Sequence, residues 1–336
     1  MNQSQILQEV QHVINKGEKT IATIGMTSRR SNDFAILPRR SAFGFEAINF
    51  LVSNEHAAKE CLKLLDNKVK YIFIDVEAKK NVDLMKIAQQ MIKTSKLVPY
   101  KPNDATLEAC DLFILNYFHH FLHDRHLLIY GVGNIGTKLA LRLAERGAKV
   151  YLYSRNVQKV ESISAALNSI LPKYTGSKIT PLQKISFSNY FDGIISFISA
   201  EEIIDEKMIP SLKNKAFVLD GGINNFSKDF YKKRTEKCLN CYRLDVRLGF
   251  AYTLLPLFDN VNVFLKEIQG REVIDGVVIV SGGVIGEDGD IVVDKVVNPT
   301  QIVGVANGLG GLKHASDYTK EDQKNILKVQ QALSKF

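Results

Sequence analysis

The stretch His126–Asn156, HLLIYGVGNIGTKLALRLAERGAKVYLYSRN, constrains the fold of this chain more than any other part of it. It opens with an apolar run, passes a glycine-rich turn, and continues with Ile135, Leu139 and Leu143 at helical spacing. Gly147 stands where a helix C-terminal glycine belongs, and a second apolar run, Lys149–Tyr153, follows. Strand, turn, helix and strand in this order open a parallel β-α-β unit that binds dinucleotides. Its glycines have separate tasks. Gly131 allows the tight turn, Gly133 lets the backbone approach a pyrophosphate, and Gly136 lets the helix sit close to the sheet. Backbone N–H groups at the helix start, around Asn134 and Ile135, then face the phosphates.

The end of the second strand bears on the choice of dinucleotide. An NAD-selective site usually places an acid there to accept from the ribose 2′-hydroxyl. This chain has Ser154 and Arg155 instead, and a guanidinium pairs well with a 2′-phosphate. The expected cofactor is therefore NADP. Ile198, at the end of an expected strand Gly193–Ile198, and Gly222, in the turn DGGIN, complete the expected cofactor-binding set.

The 336 residues allow two domains with cores of ordinary size, and 45% apolar with 24% charged residues is a globular composition. No run of about 18 apolar residues stands out, and the first residues lack the apolar core of a signal peptide. The expectation is a cytoplasmic protein without a membrane partner. The net charge of +8 is spread over short clusters such as Arg29-Arg30 and Lys232-Lys233-Arg234. With no tryptophan and no arginine-rich tail, it points to an anionic cofactor and an anionic small molecule rather than to nucleic acid. Cys238 and Cys241 form one CxxC pair, which supplies two of the four ligands of a structural zinc; no metal is expected. A homodimer is the default assembly.

Upstream, strands are expected at Thr20–Ile24, Ala47–Val52, Lys70–Asp75 and Leu97–Tyr100, with helices at Gln3–Asn15, Glu55–Leu65 and Val82–Ile92. Between the first two strands lies a long polar segment, MTSRRSNDFAILPRRSAFG, read as a functional loop. Asn103-Asp104 is expected to cap a long helix, Ala105–Leu122, that leads into the dinucleotide unit. His119, His120 and His123 would lie on that helix at a spacing that permits a metal pair, although packing and surface roles are commoner. Downstream, Val157–Ile170 reads as a helix, Gly193–Ile198 and Ala216–Leu219 as buried strands, and Lys320–Ser334 as an amphipathic helix. Val277–Ser281 and Ile291–Val293 read as a hairpin. The glycine-rich GVANGLGGLKH is either a wall of the cofactor cleft or a turn.

The resulting expectation is an α/β protein in two domains. Residues 1–104 would form an α/β substrate and catalytic domain, and 105–124 a connecting helix. Residues 125–315 would form a Rossmann domain, with 316–336 a helix packing back on the first domain. Hydride transfer needs a proton partner across the cleft from the nicotinamide. Lys79 follows the strand KYIFID, at whose carboxyl end a side chain reaches the crevice; Glu77 is its neighbour. Asp104 stands at a helix start, where its charged form is favoured, and is expected to hold the lysine and a substrate hydroxyl together.

The run LVPYKPNDATLEACDLF, followed by LLIYGVGNIGTKLALRLAERGAKVYLYSRN, resembles shikimate and quinate dehydrogenases. By this resemblance the catalytic lysine falls on Lys79, the catalytic aspartate on Asp104 and a substrate-binding asparagine on Asn103. The serines that hold a substrate carboxylate fall on Ser28 and Ser31, or less well on Ser41, with one arginine of the same segment. A second run, DGIISFISAEEIIDEKMIPSLKNKAFVLDGGIN, is similar to methylene-tetrahydrofolate dehydrogenases, whose Tyr-x-x-x-Lys pair has no counterpart here. Both resemblances imply an NADP-dependent dehydrogenase. The first implies a small anionic hydroxy, keto or amino substrate, and the second a folate. A non-catalytic NADP-binding sensor is the alternative outside enzymes.

Overall fold

A computed structural model describes residues 3–14, 19–26 and 34–334. The chain divides into two compact units, one ending at Leu254 and the other running from Leu255. The first unit holds two sheets. It begins with helix α1 (Gln3–Ile14), then β1 (Thr20–Met26), β2 (Phe34–Ala42), β3 (Phe45–Val52), α2 (Glu55–Leu65), β4 (Tyr71–Asp75), α3 (Leu84–Met91) and β5 (Lys96–Tyr100). The sheet order is β2-β3-β1-β4-β5. β1, β3, β4 and β5 are parallel, and β2 runs antiparallel along the edge of β3. β1 is buried along its whole length, as a central strand covered on both faces should be. Its core is closed by Ile6 and Val10 of α1 and by Ala58, Cys61 and Leu62 of α2.

The strand β2 corrects the sequence reading of residues 26–44 as one polar loop. Pro38, Arg39, Arg40 and Ser41 break the alternation that marks a strand. An edge strand tolerates both proline and polar residues, because one side of its backbone needs no ladder partner.

Helix α4 (Pro102–Tyr117) joins the sheets. It starts earlier than Asn103-Asp104 would cap it. Lys101 is the N-cap and makes no side-chain capping bond, Pro102 occupies the first turn, and Asp104 lies inside the helix. The helix also ends sooner than expected. His119 and His120 take left-handed conformations after it, so neither they nor His123 share a helical face. The second sheet follows with β6 (His126–Tyr130), α5 (Asn134–Glu145), β7 (Lys149–Tyr153), α6 (Val157–Ile170), β8 (Ile179–Leu182), β9 (Phe191–Ser196), β10 (Leu212–Asp220), α7 (Lys228–Lys233) and β11 (Asn240–Arg243). Its order, β11-β10-β9-β6-β7-β8, is wholly parallel and is the doubly wound Rossmann arrangement. The order reverses between β6 and β9, and a ligand crevice is expected outside their carboxyl ends. One face is covered by Leu107 and Ile114 of α4, Leu139 and Leu143 of α5, and Val160 of α6; the other by Met208, Ile209 and Phe230. Arg142 of α5 and Arg146, its C-cap, bind the buried Asp111 of α4, which fixes these two helices together.

The run Val246–Ile268 is the one helical stretch among the described residues with the length and hydropathy to cross a membrane. It contains Pro256 and is broken into short pieces, among them α8 (Phe250–Leu254) in the first unit and α9 (Asn260–Val263) in the second.

The second unit has a sheet of its own, β12 (Gly270–Ile274), β13 (Val277–Ser281), β14 (Asp288–Val293) and β15 (Ile302–Asn307), in that order. Helix α10 (Lys320–Leu333) packs Val329, Ile326 and Leu333 on Val277, Ile279, Ile291 and Val305 of it. A Rossmann domain reaching residue 315 and a last helix packed on the first domain were the sequence expectations. The structure gives residues 270–307 and α10 one shared core instead, because the apolar stripe of α10 is matched by these valine-rich strands. β13 and β14 pair in parallel, not as a hairpin. The hairpin partner of β13 is β12, joined through Asp275-Gly276, both at positive φ, the pairing signal the sequence reading passed over. The glycine-rich segment after β15 is a turn, in which the Asn307 side-chain oxygen accepts from the N–H groups of Leu309 and Gly311.

Candidate functional site

The turn after β6 has the shape its three glycines suggest. Gly131 has φ +117°, and a Cβ there would lie 2.6 Å from the Phe197 carbonyl oxygen after β9. A Cβ on Gly136 would lie 2.1 Å from the Gly131 oxygen, so only glycine lets α5 approach the end of β6. Gly133 differs from both. It is the N-cap of α5 with an ordinary φ of −87°, and a Cβ there would meet nothing within 4 Å. The space in front of the helix start is therefore open, and Asn134 is exposed beside it. Such a start, with free N–H groups and no side-chain cap, fits a pyrophosphate.

Opposite this turn, the loop after β9 is fixed by one side chain. Asn225 is fully buried, and its Oδ1 accepts from the Ser196 hydroxyl at 2.6 Å and the Ile198 N–H at 3.1 Å. Its amide donates to the carbonyls of Ile198 and Ala200. Asp220, also buried, accepts from the N–H groups of Gly222 and Asn225. Gly222 is required here, since a Cβ would stand 2.4 Å from the Ile198 oxygen. Ile223 and Asn224 follow at φ +69° and +58°; for the β-branched Ile223 this is a strained conformation. Sequence reading singled out Ile198 and Gly222 but missed Asn225, which ties the two loops to each other.

At the end of β7, Ser154 donates to the Asn156 carbonyl, and Asn156 caps α6. Arg155 is exposed and has no hydrogen bond or ion pair among the described residues. Its charge acts on the Tyr130 hydroxyl, whose pKa is raised by burial and pulled back by the guanidinium.

The groups expected to handle a proton are arranged differently from the sequence reading. Lys79 Nζ lies 2.9 Å from Asp75 Oδ2 and 3.0 Å from Glu77 Oε2. Asp75 is buried, and also accepts from the N–H groups of Met26 and Glu77. Glu77 accepts from the N–H of Asn103, at 3.1 and 3.2 Å, and so supplies from a distance the cap that Lys101 does not. Asp104 is not a partner of Lys79. Its carboxylate lies 2.6 Å from Lys101 Nζ and 2.6 Å from Lys138 Nζ of α5. Burial opposes its ionisation, but these two ammonium groups outweigh burial and hold the carboxyl below its ordinary value. Asn103 thus meets Glu77 through its backbone. Ser28 and Ser31 lie outside the described residues, and Ser41 is exposed on β2.

A cavity of about 640 Å³ joins the two sheets of the first unit. Its walls include Leu37, Arg40 and Leu51 from the first sheet, Pro102, Ala105 and Thr106 of α4, Ile135 of the dinucleotide turn, and Gly221 and Ile223. Cys238 and Cys241 are free thiols elsewhere, and burial pushes the Cys241 thiol up. Among the described residues no cluster of His, Cys, Asp and Glu could hold a metal ion.

Residues 127–240 match the family model of the NAD binding domain of 6-phosphogluconate dehydrogenase. The second sheet of the first unit is thus an NAD(P)-binding Rossmann domain. Solved structures of similar fold include an L-tryptophan dehydrogenase from Nostoc punctiforme, at 11% identity and TM-score 0.44, covering 74% of this chain and 76% of its own. A shikimate dehydrogenase in complex with NADP+ has 18% identity and TM-score 0.43, covering 72% and 91%. A bifunctional methylenetetrahydrofolate dehydrogenase/cyclohydrolase from Campylobacter jejuni has 14% identity and TM-score 0.36, covering 75% and 93%. No curated protein sequence matches the chain.

Proposed function

We propose that this chain is an NADP-dependent oxidoreductase acting on a small anionic metabolite that carries a hydroxyl, keto or amino group. The observation that carries the reading is the cavity, which runs from the first sheet and α4 to Ile135 of the dinucleotide turn and Gly221 beside it. A substrate lodged there borders the crevice in which a dinucleotide binds to a doubly wound sheet.

NADP, when bound, supplies or accepts the hydride. The residues present fit it. The N–H groups at the start of α5 and the open space at Gly133 would hold the pyrophosphate, and Ser154 and Arg155, which has no ion pair among the described residues, would hold the 2′-phosphate. Asn225 keeps the facing loop in one conformation through its bonds to Ser196, Ile198 and Ala200. Lys79, which is not one of the residues walling the cavity, would hold the proton at Nζ and pass it to a substrate oxygen as the carbonyl is reduced, or take it in the reverse direction. Asp75 and Glu77 would fix the lysine's position, and Glu77 joins it to the start of α4, whose next turn walls the cavity.

The test is Lys79→Met, assayed for NADP binding and for oxidation of NADPH with a panel of small keto acids. Retained cofactor affinity with turnover lost is the expected result. Turnover equal to that of the unmodified protein would remove Lys79 from the mechanism.

A further inference from the structure

Strand β2 does not pair evenly with β3. Leu37 lies opposite Asn49 and Arg40 opposite Ala47, so three steps on β2 match two on β3. The extra residue makes a β-bulge, a device that re-aims a side chain beside a site. The bulge is held by Asn49, which is fully buried. Its amide donates to the carbonyls of Pro38 and Ala47, and its Oδ1 accepts from the Thr23 hydroxyl. The two arginines that follow Pro38 part company here. Arg39 makes a two-pronged bond with Glu9 of α1, at 2.7 and 2.9 Å. Arg40 lines the 640 Å³ cavity, half-buried, with no hydrogen bond or ion pair among the described residues.

We infer that Arg40 anchors a substrate carboxylate, and that the substrate is a 2-oxo or 2-hydroxy acid with an apolar side chain. The inference rests on the reading of this cavity as the place of hydride transfer. A guanidinium taken out of water is costly unless an anion meets it. Burial depresses the Arg40 guanidinium below the ordinary arginine value, against the pull of Tyr100 and Asp245. Neither acid on the cavity wall meets this need. Asp245 is taken by the side chain and N–H of Arg247, and Asp220 by the N–H groups of Gly222 and Asn225. A carboxylate matches the planar fork of an arginine. The remaining wall, with Leu37, Leu51, Ile135, Ile223 and Val246, suits an apolar side chain. Arg243 lies on the same wall but is exposed, so its charge is satisfied by water.

The experiment is isothermal titration of the full chain, with and without NADP, using 4-methyl-2-oxopentanoate and its neutral counterpart 4-methylpentan-2-one. The acid should bind the unmodified protein more tightly than the ketone. Arg40→Met should weaken the acid by about 10- to 100-fold, the scale of a lost charge-assisted bond, and leave the ketone unchanged. Arg40→Lys should restore part of the loss, and Arg243→Gln should cost less than about threefold. Unchanged circular dichroism and NADP affinity show that the variants are folded. The inference is overturned if the acid fails to bind, if the ketone binds as well as the acid, or if Arg40→Met binds the acid normally. Arg40-dependent binding without NADPH oxidation would keep the anchor and remove the oxidoreductase reading. Oxidation indifferent to Arg40 would do the reverse.

Discussion

Two glycines three residues apart should fail in opposite ways when each is replaced by alanine. At Gly133 the added methyl meets no atom within 4 Å and φ is −87°, so the fold accepts it. Alanine is a poorer N-cap than glycine, but it also lowers the entropy of the unfolded chain. The net change in stability should stay within about 1 kcal/mol. With a dinucleotide bound as proposed, the same methyl would stand where the backbone comes within about 2.9 Å of a phosphate oxygen. Losing one charge-assisted bond costs about 1.5–3 kcal/mol, or roughly 10- to 150-fold in affinity. Gly136→Ala reverses the pattern. Its methyl would lie 2.1 Å from the Gly131 oxygen, so α5 must move off the sheet, at about 3 kcal/mol. Urea denaturation and NADP titration of both variants separate the cases. Gly133→Ala binding NADP within about twofold of the unmodified protein would show that this turn is not the pyrophosphate site. Gly136→Ala unfolding at the unmodified midpoint would refute the packing argument.

Asn225→Ala leaves the Ser196 hydroxyl and the backbone groups of Ile198 and Ala200 without their partner, and should destabilise the protein by about 3 kcal/mol in chemical denaturation, with weaker NADP binding. In the second unit, burial opposes ionisation of Asp294, but bonds from Thr300 and Gln301 outweigh it and bring its carboxyl down to about 2. A carboxyl with a depressed folded value contributes stability above the unfolded value of about 3.9 and loses it as pH falls toward 2. Asp294→Asn should therefore be less stable by about 1 kcal/mol at neutral pH, with the gap closing between about pH 4 and 2. A gap that is constant over that range would show that the carboxylate's charge plays no part.

The elements most legible in the sequence were those whose signals are local. Helix α6 begins and ends where its apolar period and the Asn156 cap place it, and α2 follows the same rule behind Asn54. The dinucleotide turn was legible from its glycine spacing, although only Gly136 acts on a near neighbour, Gly131, while Gly131 answers to Phe197 on another strand's loop. What escaped depends on distant partners. β8 and β11 are strands of four residues, one with Pro181, and only the neighbouring strand makes them strands. Helix α4 needs no local cap because Glu77 supplies a carboxylate from a distant loop. Nothing near Asp104 in the sequence shows that Lys138, on another helix, will claim it. The bulge that sets Arg40 apart from Arg39 depends on Asn49 of the facing strand. The shape of the dinucleotide turn was therefore readable from one stretch, and the arrangement around Lys79, Asp104 and Arg40 was not.

In the proposed function, NADP binds at the β6–α5 turn with its 2′-phosphate on Arg155. Equilibrium titration of NADP and NAD against the unmodified protein and Arg155→Ala tests it most directly. NADP should bind more tightly than NAD, and the variant should lose about tenfold or more in affinity for NADP alone. Equal affinities for the two dinucleotides, or an equal effect of the substitution on both, would contradict it.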